Sequence, residues 1–161
     1  MRIGQGFDVH RFSEEPHRPL VLGGVLIEGA PGLVGHSDAD ALAHALADAV
    51  LGAAGLGDLG THFPDSDPAW AGADSLVLLA NVVAKAAALG LRPVNADCTV
   101  IAAVPKLAPF AAEMAVRLSA TLGAPVSVKA TRPEGLGALG REEGIGCLAV
   151  VLLQSVENPQ Q

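Results

Sequence analysis

The sequence predicts an α+β fold, a mixed α/β sandwich with helices packed on one face of a mixed β-sheet. Three observations predict it. Strand-like and helix-like patterns follow one another in the order strand, hairpin, two helices, strand, helix, strand, strand, an interleaving that suits helices laid on a single sheet. The 161 residues make one ordinary domain, residues 1–161, large enough to bury a core without disulfide or metal staples. Hydrophobic residues make up 50% and charged residues 17% of the chain, a globular rather than a disordered composition.

The first strand is read in "GQGFDVHRF", residues 4–12. Side chains alternate faces along a strand, so Phe7 and Val9 point one way and Asp8 and His10 together the other. A carboxylate and an imidazole side by side call for a partner. A Pro-flanked turn follows over residues 14–19, with His17 read as an exposed loop residue, and then "LVLGGVLIEG". Its central Gly23-Gly24 predicts a two-residue hairpin turn or a bulge. "HSDADALAHALADAVLGAAGLG" predicts a helix from about Asp38 to Ala54, with Ser37 as N-cap, Asp40 completing an acidic capping box, and Gly55 and Gly57 as the stop. Its apolar stripe is Leu42, Leu46, Ala49 and Val50, while Asp40, His44 and Asp48 recur every four residues as a polar ridge.

The segment from Gly55 to Ala73 is rich in Gly, Pro and Asp and long for a loop, which points to function. Asp74 or Ser75 caps a second helix running to about Leu89, stopped by Gly90. "VNADCTVIAAV" alternates as a strand closed by Pro105. A third helix runs from about Pro109 to Leu122, with Gly123 at its end. "VSVKAT" and "IGCLAVVLLQSV" are the last strands, separated by the glycine-rich loop "RPEGLGALGREEG". The tail, residues 157–161, reads as frayed. Helices cover only one face of the sheet, so the apolar run Cys147 to Leu153 calls for a subunit partner on the other.

Bulk properties exclude several classes. The formal net charge of −7 argues against nucleic acid as a partner, since backbone binding needs clustered Lys and Arg. No apolar run approaches the roughly 20 residues that span a bilayer, so no membrane association is expected. The N-terminus passes into the first strand without the features of a signal peptide, which makes a cytoplasmic location the expectation. Cys98 and Cys147 sit in apolar strands, where a buried thiol acts as a small hydrophobe. If this acidic chain binds a phosphate ester, metal cations are the natural agents.

Asp8 and His10 can grip one ion together, and His44 on the first helix is the best candidate for a third ligand. One Asp, two His and a vacant corner have the shape of a catalytic Zn²⁺ site. Spacing alone leaves open that these are hydrogen-bonded structural histidines. His36 and Ser37 lie at a helix N-terminus, where anions are favoured, although Ser37 has a capping role open to it. Asp58 and Asp65 are either turn formers or ligand contacts. Pro105-Lys106 follows a strand at its C-terminal end, where ligands of α/β sheets bind. Thr131, Arg132 and Glu134 follow the next strand, and a Glu beside donors can hold Mg²⁺ against a diphosphate. Together these residues describe a site for a phosphorylated polyol.

The blocks "GFDVHRF", "GHSDADALAHALADAVLGAAGLGDLGTHFPDSDP", "AAVPKLAP" and "KATRPEGLGALGREEGI" closely resemble the 2-C-methyl-D-erythritol 2,4-cyclodiphosphate synthase family of the non-mevalonate isoprenoid pathway, in order and over essentially the whole chain. The resemblance implies a homotrimer, sheets facing its axis and active sites between subunits. It implies Zn²⁺ on Asp8, His10 and His44, and Mg²⁺ or Mn²⁺ on Glu134 against the diphosphate of a cytidine diphosphate substrate. It places His36 as a transition-state stabiliser beside Ser37 at the phosphates. Asp58, Leu59, Gly60, Phe63, Asp65 and Asp67 would meet the polyol and sugar, while Ala102, Ala103, Pro105, Lys106, Leu107 and Ala108 would read cytosine and hold phosphate. Thr131 joins the substrate contacts, and Arg141 would lie near the diphosphate or the trimer axis.

Two positions depart from the family pattern. Arg132 stands where the family has a threonine hydroxyl that stabilises the transition state, a task that a guanidinium performs at longer reach. Ala138 stands where a Phe is usual beside the axial cavity. The implied reaction turns 4-diphosphocytidyl-2-C-methyl-D-erythritol 2-phosphate into the cyclic diphosphate and CMP. Two rivals are a zinc hydrolase of a small phosphate ester, with Asp40 or Asp65 as base, and a non-catalytic trimeric module that binds a nucleotide or isoprenoid.

Overall fold

Strand β1 (Arg2–Arg11) runs along one edge of a four-stranded sheet, antiparallel to β6 (Gly144–Ser155), which is in turn antiparallel to β4 (Leu91–Ile101). β5 (Val126–Thr131) lies parallel to β4 on the far edge, so the order is β1-β6-β4-β5 and the sheet is mixed, as the sequence predicts. This structure, a computed structural model of the chain, describes residues 1–156; the tail read as frayed lies outside the described residues. β2 (Leu20–Leu22) and β3 (Val25–Ile27) form the separate hairpin. Its turn holds Gly23 at φ 56° and Gly24 at φ 72°, the left-handed pair that lets a two-residue turn match the strand twist.

Helix α1 (Ala41–Ala54) lies directly on β1, and glycine makes that approach possible. A Cβ on Gly4 would sit 1.9 Å from the Ala49 carbonyl oxygen, and one on Gly6 1.9 Å from that of Ala45. Moving from Gly4 to Gly6 on the strand thus moves about one turn back along the helix, and the next step of the same face is Asp8. This register delivers His44 beside Asp8.

The helix begins later than the sequence predicts. Asp40, not Ser37, is the N-cap, and its carboxylate accepts from Leu42 N at 3.1 Å and Ala43 N at 3.0 Å. It also accepts from Gly23 N at 2.8 Å and Gly24 N at 2.6 Å, pinning the hairpin turn to the helix start. Ala39 at φ 58° breaks the helical path just before it. Asp40 is therefore fully buried and leaves the expected polar ridge, which reduces to His44 and Asp48.

Asp74 caps α3 (Ser75–Ala88); α4 (Ala111–Leu122) starts two residues later than the expected Pro109 and ends, as expected, at the left-handed Gly123. The long 55–73 segment contains a short helix, α2 (Leu59–His62), and a 3₁₀ turn (Pro68–Trp70); the glycine-rich loop contains another short helix, α5 (Gly137–Gly140). Leu42, Leu46, Leu79, Met114 and Leu118 fill the space between helices and sheet, against Cys98, Val100, Cys147, Ala149 and Val151. The opposite sheet face stays open, with Ile3 74%, Phe7 54% and Val9 50% exposed.

Candidate metal centre and the cavities at the sheet edges

Asp8 and His10 project from β1 toward the first turns of α1, where His44 meets them. Asp8 Oδ2 lies 2.9 Å from His10 Nε2 and 3.1 Å from His44 Nδ1. All three atoms fall within 4.8 Å of one another, a carboxylate oxygen and two imidazole nitrogens converging on one point. This donor set fits Zn²⁺. His10 Nδ1 is 2.6 Å from the Val34 carbonyl, which only accepts, so in the neutral ring the other nitrogen turns its lone pair on Asp8. The second oxygen of Asp8 accepts from Val9 N at 2.9 Å.

Burial alone would raise the Asp8 carboxyl, yet hydrogen bonds and charge from His10 and His44 outweigh it and hold the group well below the usual carboxylate range. His10 is raised, chiefly because its protonated form donates Nε2–H to Asp8, and against the effect of burial. The centre therefore keeps its carboxylate ionised.

A cavity of about 240 Å³ opens on this cluster. Of the residues named from sequence, His36, Ser37, Leu59, Gly60, Phe63 and Asp65 line it with the three candidate ligands. His36 Nε2 lies 3.2 Å from the Asp67 carbonyl oxygen, and Phe63 meets Trp70 edge to face at 4.9 Å. Asp58 and Asp67 point their carboxylates elsewhere: Asp58 caps α2 through Thr61 N at 2.8 Å, and Asp67 caps the 3₁₀ turn through Ala69 N at 2.9 Å. Both are turn formers by side chain. Asp40, named as a base for the hydrolase rival, is engaged by four backbone amides and does not line the cavity; burial pushes its carboxyl up to about 6 against their pull.

Sequence reasoning did not name Asp48, Trp70 and Leu78 as cavity residues. Asp48 accepts from Leu59 N at 2.7 Å, and burial raises its carboxyl. Its four-residue spacing from His44 was the available signal; Trp70 and Leu78 reach the cavity only through tertiary packing.

A second cavity of about 190 Å³ gathers Ala102, Ala103, Pro105, Lys106, Leu107 and Ala108 with Thr131 and Arg132. Glu134 and Arg141 line neither cavity; Glu134 is exposed at φ 52°, and Arg141 pairs with Glu143 at 2.6 Å. Asp8 pairs with Cys147 and Cys147 with Val100, so both cavities lie at the same end of the sheet. They sit at opposite edges of the sheet, on β1 and β5, strands that lie three strand spacings or roughly 14 Å apart. Within one chain they share no lining residue.

The model of the YgbB family matches residues 1–154. The 2-C-methyl-D-erythritol 2,4-cyclodiphosphate synthase of Symbiobacterium thermophilum is 58% identical over 156 residues, covering 95% of this chain and 98% of that protein. The bifunctional IspDF of Campylobacter jejuni superposes with a TM-score of 0.91 at 44% identity, over 97% of this chain and 42% of that longer one. A 2C-methyl-D-erythritol-2,4-cyclodiphosphate synthase solved in its CDP-bound form gives a TM-score of 0.85 at 40% identity, over 95% of this chain and 100% of that one.

Proposed function

Because this chain belongs to the YgbB family, we propose that it is a synthase domain over residues 1–161 that converts 4-diphosphocytidyl-2-C-methyl-D-erythritol 2-phosphate to 2-C-methyl-D-erythritol 2,4-cyclodiphosphate and CMP. The observation that carries the reading is the convergence of Asp8, His10 and His44 on a cavity lined by His36 and Ser37. The substrate brings its own nucleophile. An oxygen of the 2-phosphate attacks the β-phosphorus, the new P–O bond closes the ring, and the bond to the cytidylyl phosphate breaks with its electron pair leaving on CMP. No protein nucleophile is needed, so the chain's task is orientation and the management of negative charge.

Asp8, His10 and His44 would hold Zn²⁺, and Glu134 Mg²⁺ or Mn²⁺. When bound, these ions supply the positive charge that lets phosphates approach one another in an acidic protein. His36 and Ser37 offer donors to the phosphates from the loop ahead of α1. The Ala102–Ala108 segment offers backbone groups to cytosine and Lys106 to phosphate, and Arg132 brings a guanidinium to the developing charge. Thr131 belongs with that half and the loop around Leu59, Gly60 and Asp65 with the polyol half, while Arg141 would lie near the diphosphate or the trimer axis.

The two cavities lie on opposite edges of the sheet, and a homotrimer that sets the β1 edge of one protomer against the β5 edge of the next would join them. The open apolar face of Ile3, Phe7 and Val9 supports such packing. Among the described residues no helix is long and apolar enough to cross a membrane, and we place the enzyme in the cytoplasm.

³¹P NMR of the purified protein with the cytidyl diphosphate substrate and Mg²⁺ tests the reaction. The expected result is a cyclic diphosphate signal with CMP, abolished by a chelator. Inorganic phosphate in its place would assign a hydrolase, and an unchanged spectrum with bound substrate a binding module.

A further inference from the structure

We infer that Asp38 and Ser75 are positioning residues that fix the ring of His44, so that its Nδ1 lone pair faces the metal centre. The inference rests on the reading of Asp8, His10 and His44 as a metal centre.

The polarity of the network follows from its end. The Asp38 carboxylate can only accept. It takes Asp40 N at 3.1 Å on Oδ1, Ser75 N at 3.1 Å on Oδ2, and the Ser75 hydroxyl as well. The Ser75 proton is thereby committed to Asp38, leaving Ser75 Oγ as an acceptor. His44 Nε2 lies 2.8 Å from that oxygen, so it must carry the ring proton and donate it. Ser37 Oγ, 3.2 Å away and already accepting from Ala39 N, is a second acceptor for the same N–H. With its proton on Nε2, a neutral His44 presents a bare lone pair on Nδ1, 3.1 Å from Asp8 Oδ2. Two acceptors at that distance repel unless a proton or a metal cation joins them.

His10 arrives at the same state by a different partner, since the Val34 carbonyl takes its Nδ1 proton and frees Nε2. Each imidazole is thus oriented from behind by an oxygen acceptor, the arrangement that sets tautomer and ring angle in metal sites.

Helix capping does not account for the Ser75 hydroxyl: the side chain that caps α3 is Asp74, and the one that caps α1 is Asp40. The Asp38 carboxylate ties the two helix starts together through Asp40 N and Ser75 N, and takes the Ser75 hydroxyl in addition. Ser75 is 1% exposed, and burying a hydroxyl beside a carboxylate is costly unless both are fully used.

The test measures Zn²⁺ affinity of the metal-stripped full chain by competition with a chromophoric chelator. Long-range ¹H–¹⁵N spectra report the His44 tautomer, and circular dichroism confirms the fold. Ser75→Ala is expected to bind Zn²⁺ about 10- to 100-fold more weakly and to lose the Nε2–H preference. Asp74→Ala, a cap change on the same helix end, should leave both unchanged. Asp38→Asn keeps the side-chain shape and serves if Ser75→Ala does not fold; it should weaken binding in the same direction. Folded variants with parental affinity and parental tautomer would overturn the inference. The underlying reading is judged separately by the parent and His44→Ala. If the parent takes no Zn²⁺, or His44→Ala takes it equally well, the metal centre itself is wrong and the positioning role falls with it.

Discussion

Asp8 shows how much a single residue's surroundings decide. Its carboxylate is half-buried, which by itself would favour the protonated form, yet two imidazoles keep it ionised and acidic. His44→Ala or Asp8→Asn removes one of three converging donors, and turnover should fall below detection while gel filtration shows an unchanged assembly. Parental activity in a metal-verified variant would refute the centre. The cysteines make the opposite case. Burial pushes the Cys98 thiol up to about 12, and Cys147 is raised as well. Raised folded values mean that each thiol's contribution to stability is whole below the unfolded value of about 8.5 and is lost as the pH climbs from there through the folded value. At pH 8 neither thiol should react with Ellman's reagent until urea unfolds the chain, and urea midpoints should decline between pH 8 and 10.

At the scale of elements, the β1–α1 pair governs the site. Gly6 permits backbone contact at Ala45, so Gly6→Ala has no side chain to displace and must lift the helix. A cost of about 3 kcal/mol is expected in urea denaturation, together with weaker Zn²⁺ binding as His44 withdraws from Asp8. The Asp40 carboxylate joins two elements through four amides. Asp40→Ala would strip a helix cap and orphan buried N–H groups, a loss of about 3 kcal/mol or more, with the hairpin turn showing faster hydrogen exchange than in the parent.

At the scale of the whole molecule, the open sheet face and the divided site lead to one expectation about assembly. Placing a charge at the exposed apolar face, as in Phe7→Asp, should shift light scattering toward monomer and abolish turnover, although Phe7 lines neither cavity. A stronger check mixes two inactive variants. His44→Ala damages the β1-edge half and Arg132→Ala the β5-edge half, so co-refolded mixtures should regain part of the activity if sites form between protomers. Mixtures as inactive as their components would place the site within one chain.

The alternation of "GFDVHRF", the Gly23-Gly24 turn, the stops at Gly55, Gly90 and Gly123, and the order of strands and helices were all legible, because period-2 and period-3.6 patterns and glycine punctuation are local. The chemistry of Asp8, His10 and His44 was legible as residue type and, through resemblance, as a set. Local reading put the start of α1 at Ser37 because an S-x-x-D pattern fits a capping box; Asp40 took that place because it alone also meets the hairpin amides 17 and 16 residues away. The Asp38–Ser75–His44 chain was invisible for the same reason, with Ser75 lying 37 residues from Asp38 and 31 from His44. The sequence by itself determined which elements form and which residues carry chemistry. Only the tertiary structure decided which carboxylate caps, which proton each imidazole holds, and that the two cavities lie apart on one chain, since hydrogen-bond polarity and edge placement depend on partners brought together by the fold.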